Sequence, residues 1–291
     1  MPDEAGLVEL SDGRRLAYSL FGAPQGRPAF YFHGTPGSRH EPSLGRDAAT
    51  RHAVCIVALD HPGFGGSDYH SGRRLLDWPY DVLEAAQQLG LGRFGVVGAS
   101  GGGPYALACA HAIPERLDFA AVMGSWAPVH GTRLAQDMAP LDRFFARLSG
   151  SLPLLFYAPF SLLALSVTRL SPQSFFKTID SSMSGPDREL IRDRAVADFY
   201  ANDMKEAFRQ GVRGPADDAI LLYQDWGFNL EEIAIPVHVF HGQEDKFAPF
   251  SFAEYLHRTI PQTTLHAYPQ AGHLFLYKLF DEVFEQVLAV E

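Results

Sequence analysis

The order in which short apolar runs and helix-like segments follow one another restricts the fold of this chain more than any other feature. A hairpin is expected first, from Leu7 to Leu10 and Arg14 to Leu20 about Ser11-Asp12-Gly13. Four apolar runs follow: Ala29 to Phe32, Val54 to Leu59, Phe94 to Val97 and Phe119 to Met123. Each is short and ends in glycine or turn-forming residues, which is how a fully buried strand reads. Helical spacing covers the intervals Glu41 to Arg51, Leu76 to Leu89 and Gly102 to Ala112. Parallel strands need long crossovers, so this alternation predicts an α/β fold: a mainly parallel, twisted sheet with helices on both faces.

The pattern breaks after Trp126, where helical periodicity continues with scarcely any strand signal. Strand signals return at Val237 to Phe240, just past Pro236, and the chain resumes through Phe250 to Arg258, Thr264 to Ala267 and Leu274 to Val290. The expected organisation is a core of residues 1–126 and 236–291 with a helical cap, residues 127–235, inserted over the C-terminal edge of the sheet. Within the insertion, Leu148 to Thr168 carries no charge and is long enough to cross a bilayer. Pro153, Pro159 and several serines interrupt it, and a span would leave the two parts of the core on opposite sides of a membrane. No transmembrane span is expected; a buried helix pair or an apolar, substrate-facing cap is.

With 24 basic against 34 acidic residues the net charge is −10, and no block of Lys or Arg could neutralise a run of phosphates. Nucleic acid is therefore excluded as a partner, and a small molecule is expected instead. Two cysteines, Cys55 and Cys109, support neither a disulfide framework nor a four-cysteine zinc site and are expected in the core. Asp3 and Glu4 stand where a secretory signal would be positive, so the expected location is cytoplasmic.

Chemistry is concentrated at Gly98-Ala99-Ser100-Gly101-Gly102, between an expected strand and an expected helix, matching the G-x-S-x-G nucleophile elbow. A serine on so tight a turn projects its hydroxyl alone, and the N–H groups opening the helix face any oxyanion formed beside it. Read differently, Ser100 would be only a helix N-cap. An overlapping match, Gly101-x-Gly103-x-x-Ala106, resembles the dinucleotide fingerprint, but it lies deep in the strand order and begins after the serine. A serine hydroxyl needs a histidine base and a carboxylate to orient it. His273 follows the last strand in Ala271-Gly272-His273, and Asp245 follows the strand before in His241-Gly242-Gln243-Glu244-Asp245. Both are expected at the same edge as Ser100, in the chain order Ser, Asp, His.

Together these segments, with His33 to Ser38 and Asp60 to Asp68, make the chain resemble the α/β-hydrolase family over nearly its whole length. That resemblance implies Ser100 as nucleophile, His273 as base and then acid, and Asp245 as the group that fixes the histidine tautomer, with Glu244 the adjacent competitor. It also makes His33-Gly34-Thr35-Pro36-Gly37-Ser38 the oxyanion loop, with Thr35 and Gly101 as backbone donors and His33 as a structural member. The remaining histidines, including His61, His111, His241 and His257, lack the paired spacing of metal ligands, and no lysine completes a P-loop in Asp60 to Ser67. Neither a metal nor a cofactor is expected.

Within the family, an aspartate nucleophile marks dehalogenases and epoxide hydrolases, and a lysine after the histidine marks hydroxynitrile lyases; this chain has Ser100 and Leu274. The expected function is hydrolysis of an ester or lactone with small to medium apolar groups, through an acyl-enzyme. A sensing protein with little or no turnover, and thioester, amide or carbon–carbon hydrolysis with the same parts, are the alternatives. Specificity is expected in the cap, among Phe144, Phe145, Phe156, Tyr157, Phe160, Phe175, Phe176, Phe199 and Trp226, some as core and some as pocket wall. Arg143, Arg147 and Arg169 are expected in surface pairs.

Overall fold

A computed structural model describes residues 4–151 and 153–289. Residues 1–3, Leu152 and residues 290–291, which fall in the expected core, the apolar stretch and the last helix, lie outside the described residues. The eight strands are β1 (Glu4–Glu9), β2 (Arg15–Gly22), β3 (Arg27–Phe32), β4 (Val54–Leu59), β5 (Phe94–Ala99), β6 (Leu117–Met123), β7 (Val237–Gly242) and β8 (Thr263–Tyr268). They form one sheet in the order β1-β2-β4-β3-β5-β6-β7-β8. The β1–β2 and β2–β4 pairs are antiparallel and the rest parallel. In register, Phe32 faces Gly98, Ala99 faces Met123 and Met123 faces Phe240, so the loops after β3, β5, β6 and β7 leave the sheet along one edge.

The helices are α1 (Arg46–Arg51), α2 (Trp78–Gln88), α3 (Gly103–Ala112), α4 (Pro140–Ser151), α5 (Pro153–Arg169), α6 (Pro172–Thr178), α7 (Gly185–Arg192), α8 (Arg194–Ala207), α9 (Arg213–Tyr223), α10 (Phe250–Thr259) and α11 (Phe280–Leu288). Alternation along the strands sorts the core into two layers. Phe30, Phe32, Val57, Val96 and Val122 pack with α2, α3 and α10 through residues such as Trp78, Tyr105 and Phe252. Their neighbours Tyr31, Ile56, Val97, Met123 and Phe240 face the other way, against Ala49 of α1 and Phe280, Val283 and Phe284 of α11. Phe30 and Phe32 are wholly buried, a contribution of about 1.5–3 kcal/mol each. Cys55 and Cys109 are both buried in the core.

The expected helices from Glu41, Leu76, Gly102 and Leu274 each begin differently from their sequence reading. A tighter 3₁₀ turn comes first, at Glu41–Gly45, Leu75–Asp77, Ser100–Gly102 and Leu274–Lys278. Helices α4 to α9 lie between β6 and β7, forming the helical insertion. The apolar stretch from Leu148 is divided between α4 and α5, and among the described residues no helix is long and apolar enough to cross a membrane. Phe156 and Val167 are buried in the insertion, whereas Leu155, Leu162 and Leu165 of the same helix are exposed.

Candidate active site

The turn after β5 holds Ser100 at φ +51°, in the left-handed region that a non-glycine residue adopts only under constraint. Close packing supplies that constraint. A side chain at Gly98 would come within 2.3 Å of the Gly102 carbonyl oxygen, and one at Gly102 within 2.1 Å of the Phe32 carbonyl oxygen. The chain can therefore double back against β3 only with glycine at both places, which leaves Ser100 half-buried at the tip.

His273 reaches this tip from the loop after β8, its Nε2 lying 3.0 Å from Ser100 Oγ. Its Nδ1 lies 2.7 Å from Asp245 Oδ2. Asp245 is itself fixed, because the backbone N–H groups of Phe247 and Ala248 each donate to its Oδ1 at 2.9 Å. With Nδ1–H donating to the carboxylate, Nε2 is the nitrogen left to accept the serine proton. Burial opposes charging His273, but the Asp245 carboxylate, with Asp187 and Glu41 farther off, outweighs it and raises the imidazole above its ordinary value. Glu244, the sequence competitor, is exposed. The three residues singled out from the sequence are thus brought into one hydrogen-bonded line.

Thr35 and Gly101 are also brought together: a Cβ on Gly101 would meet Thr35 Oγ1 at 2.6 Å and its backbone nitrogen at 3.1 Å. The Thr35–Pro36 peptide is cis. His33 is fully buried, accepting the His61 N–H on Nε2 at 3.0 Å, with Nδ1 2.8 Å from the Gly34 carbonyl oxygen. Burial and neighbouring His61 hold it well below the ordinary histidine range, so it serves the loop as a neutral strut. His241 stands behind Asp245, its Nε2 donating to the Ala248 carbonyl at 2.8 Å.

Above Ser100 lies a cavity of about 540 Å³, walled mostly by the insertion. Phe145, Phe160, Phe175, Phe176, Tyr200 and Tyr223 line it, whereas Phe144 is exposed and Phe156 and Trp226 are buried away from it. Arg143, Arg147 and Arg169 are not among its lining residues, which include the acids Glu41, Asp142 and Asp203. Among the described residues no group of histidine, cysteine and acidic side chains could hold a metal ion.

The family model described as alpha/beta hydrolase fold matches residues 30–278. The chain belongs to the alpha/beta hydrolase family. It is 28% identical over 255 positions to a non-heme chloroperoxidase of Streptomyces lividans, covering 85% of each chain. A proline iminopeptidase of Xylella fastidiosa is 26% identical over 302 aligned positions, covering 94% of this chain and 91% of that protein. In structure the chain resembles an esterase from Exiguobacterium antarcticum with a TM-score of 0.73, at 21% identity and over 99% and 98% of the two chains.

What the sequence does not reveal in this α/β-hydrolase is a set of buried acids that join the insertion to the edge of the sheet. Asp203 of α8 accepts from Ser38 Oγ at 2.5 Å and from its N–H at 3.2 Å. Glu41 accepts from the Gly34 N–H and the Tyr31 hydroxyl, each at 2.8 Å, and burial pushes its carboxyl up to about 7. Asp218 of α9 is fully buried and accepts from Thr35 Oγ1 at 2.7 Å, from Arg73 at 2.5 Å and from the Tyr105 hydroxyl, with His61 Nδ1 3.1 Å away. Burial raises the Asp218 carboxyl, but His61, Arg73 and these hydrogen bonds outweigh it and hold the group below the usual range. Their linear sequence carries no sign of this, since the partner of Asp203 is 165 residues away and those of Asp218 are 113 to 183 residues away.

Proposed function

We propose that this protein is a serine hydrolase that cleaves a carboxylic ester or lactone of small to medium, largely apolar build. One observation carries the reading: a Ser100–His273–Asp245 relay with steps of 3.0 and 2.7 Å at the floor of an apolar cavity of about 540 Å³. The cavity is in the size range of small-molecule sites.

As the Ser100 oxygen attacks the substrate carbonyl, its proton passes to His273 Nε2, and Asp245 stabilises the imidazolium. The N–H groups of Thr35 and Gly101 take the developing oxyanion. Collapse of the tetrahedral intermediate breaks the bond to the leaving oxygen, which receives the proton from His273. Water then gives a proton to His273 and attacks the acyl group, and Ser100 leaves with that proton restored. Residues 127–235 act in this reading as a cap domain whose aromatic wall selects the acyl and alcohol groups. The apolar wall and the absence of Arg and Lys among its lining residues support the apolar-substrate part of this reading, since a substrate carboxylate would find no cationic partner there.

Intact mass after brief exposure to a fluorophosphonate tests this. One adduct is expected in the unsubstituted protein and none in Ser100→Ala, followed by turnover on a panel of esters and lactones of varied chain length. A folded protein that takes up no probe would reject the enzyme reading in favour of ligand binding without turnover.

A further inference from the structure

His273 ends a loop and opens the 3₁₀ turn Leu274–Lys278, so its own N–H and that of Leu274 are unfilled donors at a helix start. No side chain of the turn caps them. They are filled from the insertion instead. Asp187, in the first turn of α7, accepts from the His273 N–H on Oδ2 at 3.1 Å and from the Leu274 N–H on Oδ1 at 2.7 Å. The carboxylate is fully buried and is oriented by Ser184, whose hydroxyl donates to Oδ2 at 2.7 Å while accepting the Asp187 N–H at 3.2 Å. The neighbouring residue makes room for it: a Cβ on Gly272 would lie 2.4 Å from both carboxylate oxygens and 2.1 Å from Ser184 Oγ.

We propose that Asp187 is a positioning residue for His273, a carboxylate from the insertion that clasps the backbone of the base so that the insertion helps set the geometry and charge of catalysis. The proposal rests on the serine-hydrolase reading above. Asp245 orients the ring through Nδ1, and Asp187 fixes the backbone through the N–H groups of His273 and Leu274, so the two carboxylates control different degrees of freedom. Three carboxylates favour the charged imidazole, Asp245 after β7, Asp187 on α7 and Glu41 after β3, while His241 of β7, behind Asp245, opposes it. Asp203 of α8 acts on Glu41 in turn. Removing the Asp187 charge removes one stabiliser of the imidazolium while Asp245 and Glu41 remain. The free base then persists to lower pH, and the acid limb of Ser100 reactivity moves down.

The rate of fluorophosphonate labelling of Ser100 across pH reads this without a known substrate. In Asp187→Asn the midpoint of the acid limb is expected to move to lower pH, since one of the carboxylates that favour the imidazolium is gone. The plateau rate is expected to fall about tenfold as the base loses its fixed position. Ser184→Ala loosens the start of α7 but keeps the carboxylate, and its midpoint should stay at the unsubstituted value. A midpoint unmoved in folded Asp187→Asn, or moved equally in Ser184→Ala, overturns the proposal. If Asp187→Asn does not fold, Gly272→Ala serves, because the added Cβ forces the carboxylate off both N–H groups; an unchanged plateau there overturns the proposal. Absence of labelling in the unsubstituted protein would instead reject the catalytic reading itself.

Discussion

The sheet and the insertion bury different things. At the sheet edge the strands are apolar on both faces, and the site is shaped by glycines that let backbone approach backbone, as Gly98 and Gly102 do. In the insertion, α7, α8 and α9 each send a buried aspartate downward: Asp187 to the His273 backbone, Asp203 to Ser38 and Asp218 to Thr35. Among the described residues, α4 and α5 carry no such tie and expose Leu141, Phe144, Leu155, Leu162 and Leu165. The insertion is thus two regions in one, a pinned half tied to the loops of Thr35, Ser38 and His273 and an apolar half along the cavity.

The largest expected effect is at the sheet edge. Ser100→Ala should lower turnover by roughly four to six orders of magnitude with an unchanged melting curve, as removal of a triad serine does. Next comes the pinned half. Asp218→Ala leaves the buried Arg73 guanidinium without its carboxylate, which should cost about 3–5 kcal/mol in denaturant unfolding. Wild-type levels of both stability and turnover in this variant would mean that the insertion is not joined to the oxyanion loop in the way described. Asp218 also has a pH signature: its depressed carboxyl contributes stability at neutral pH that is lost as pH falls below the ordinary aspartate value of 3.8.

Glu41 sharpens the comparison from the opposite sign, because it meets Asp203 across the seam and burial favours its protonated form. A carboxyl raised from 4.5 to about 7 on folding binds more protons in the native state, so its contribution falls as pH rises from 4.5 to 7. Glu41→Gln should therefore stabilise the protein at pH 8 by something on the order of 1–3 kcal/mol and flatten that part of the pH–stability curve. A loss of stability at pH 8 would show that the ionised carboxylate, by holding the Gly34 N–H, is worth more than its burial costs.

The sheet was legible because its information is local. A run such as Val54 to Leu59 declares a buried strand by its own composition, and Gly98 to Gly102 declares a tight turn by its own spacing. The placement of Ser100, Asp245 and His273 followed, since each directly succeeds a strand whose C-terminal end had to lie on one edge. Strand ends were less so: β5 runs on to Ala99 and β7 to Gly242, because pairing with neighbours extends strands past their apolar runs. The buried aspartates were illegible for the same physical reason. On an amphipathic helix an acid reads as solvent-facing, and only the tertiary partner shows that Asp187 or Asp218 points inward. Part of the cavity wall was named in advance, but Phe156 and Phe160 share a helix and only one of them lines it, which hydrophobicity alone does not distinguish.

The smallest effect expected tests the unpinned half. Leu162 is 66% exposed yet lines the cavity, and Leu165, one turn on, is 53% exposed. Replacing either by serine removes little buried surface, so thermal stability should change by no more than about 0.5 kcal/mol. Phe156→Ala on the same helix empties a fully buried site and should cost about 3–5 kcal/mol. The two leucines should then separate by function. At the mouth, Leu162→Ser withdraws apolar contact from a substrate entering the cavity and should raise KM for a long-chain ester by a few-fold, with kcat unchanged, whereas Leu165→Ser, which does not line the cavity, should leave both constants alone. Equal effects from the two would mean that the apolar surface of α5 acts as one face, not through those of its residues that line the cavity. A fall in kcat would tie α5 to the loops that carry Ser100 and His273 and erase the distinction between the two halves of the insertion.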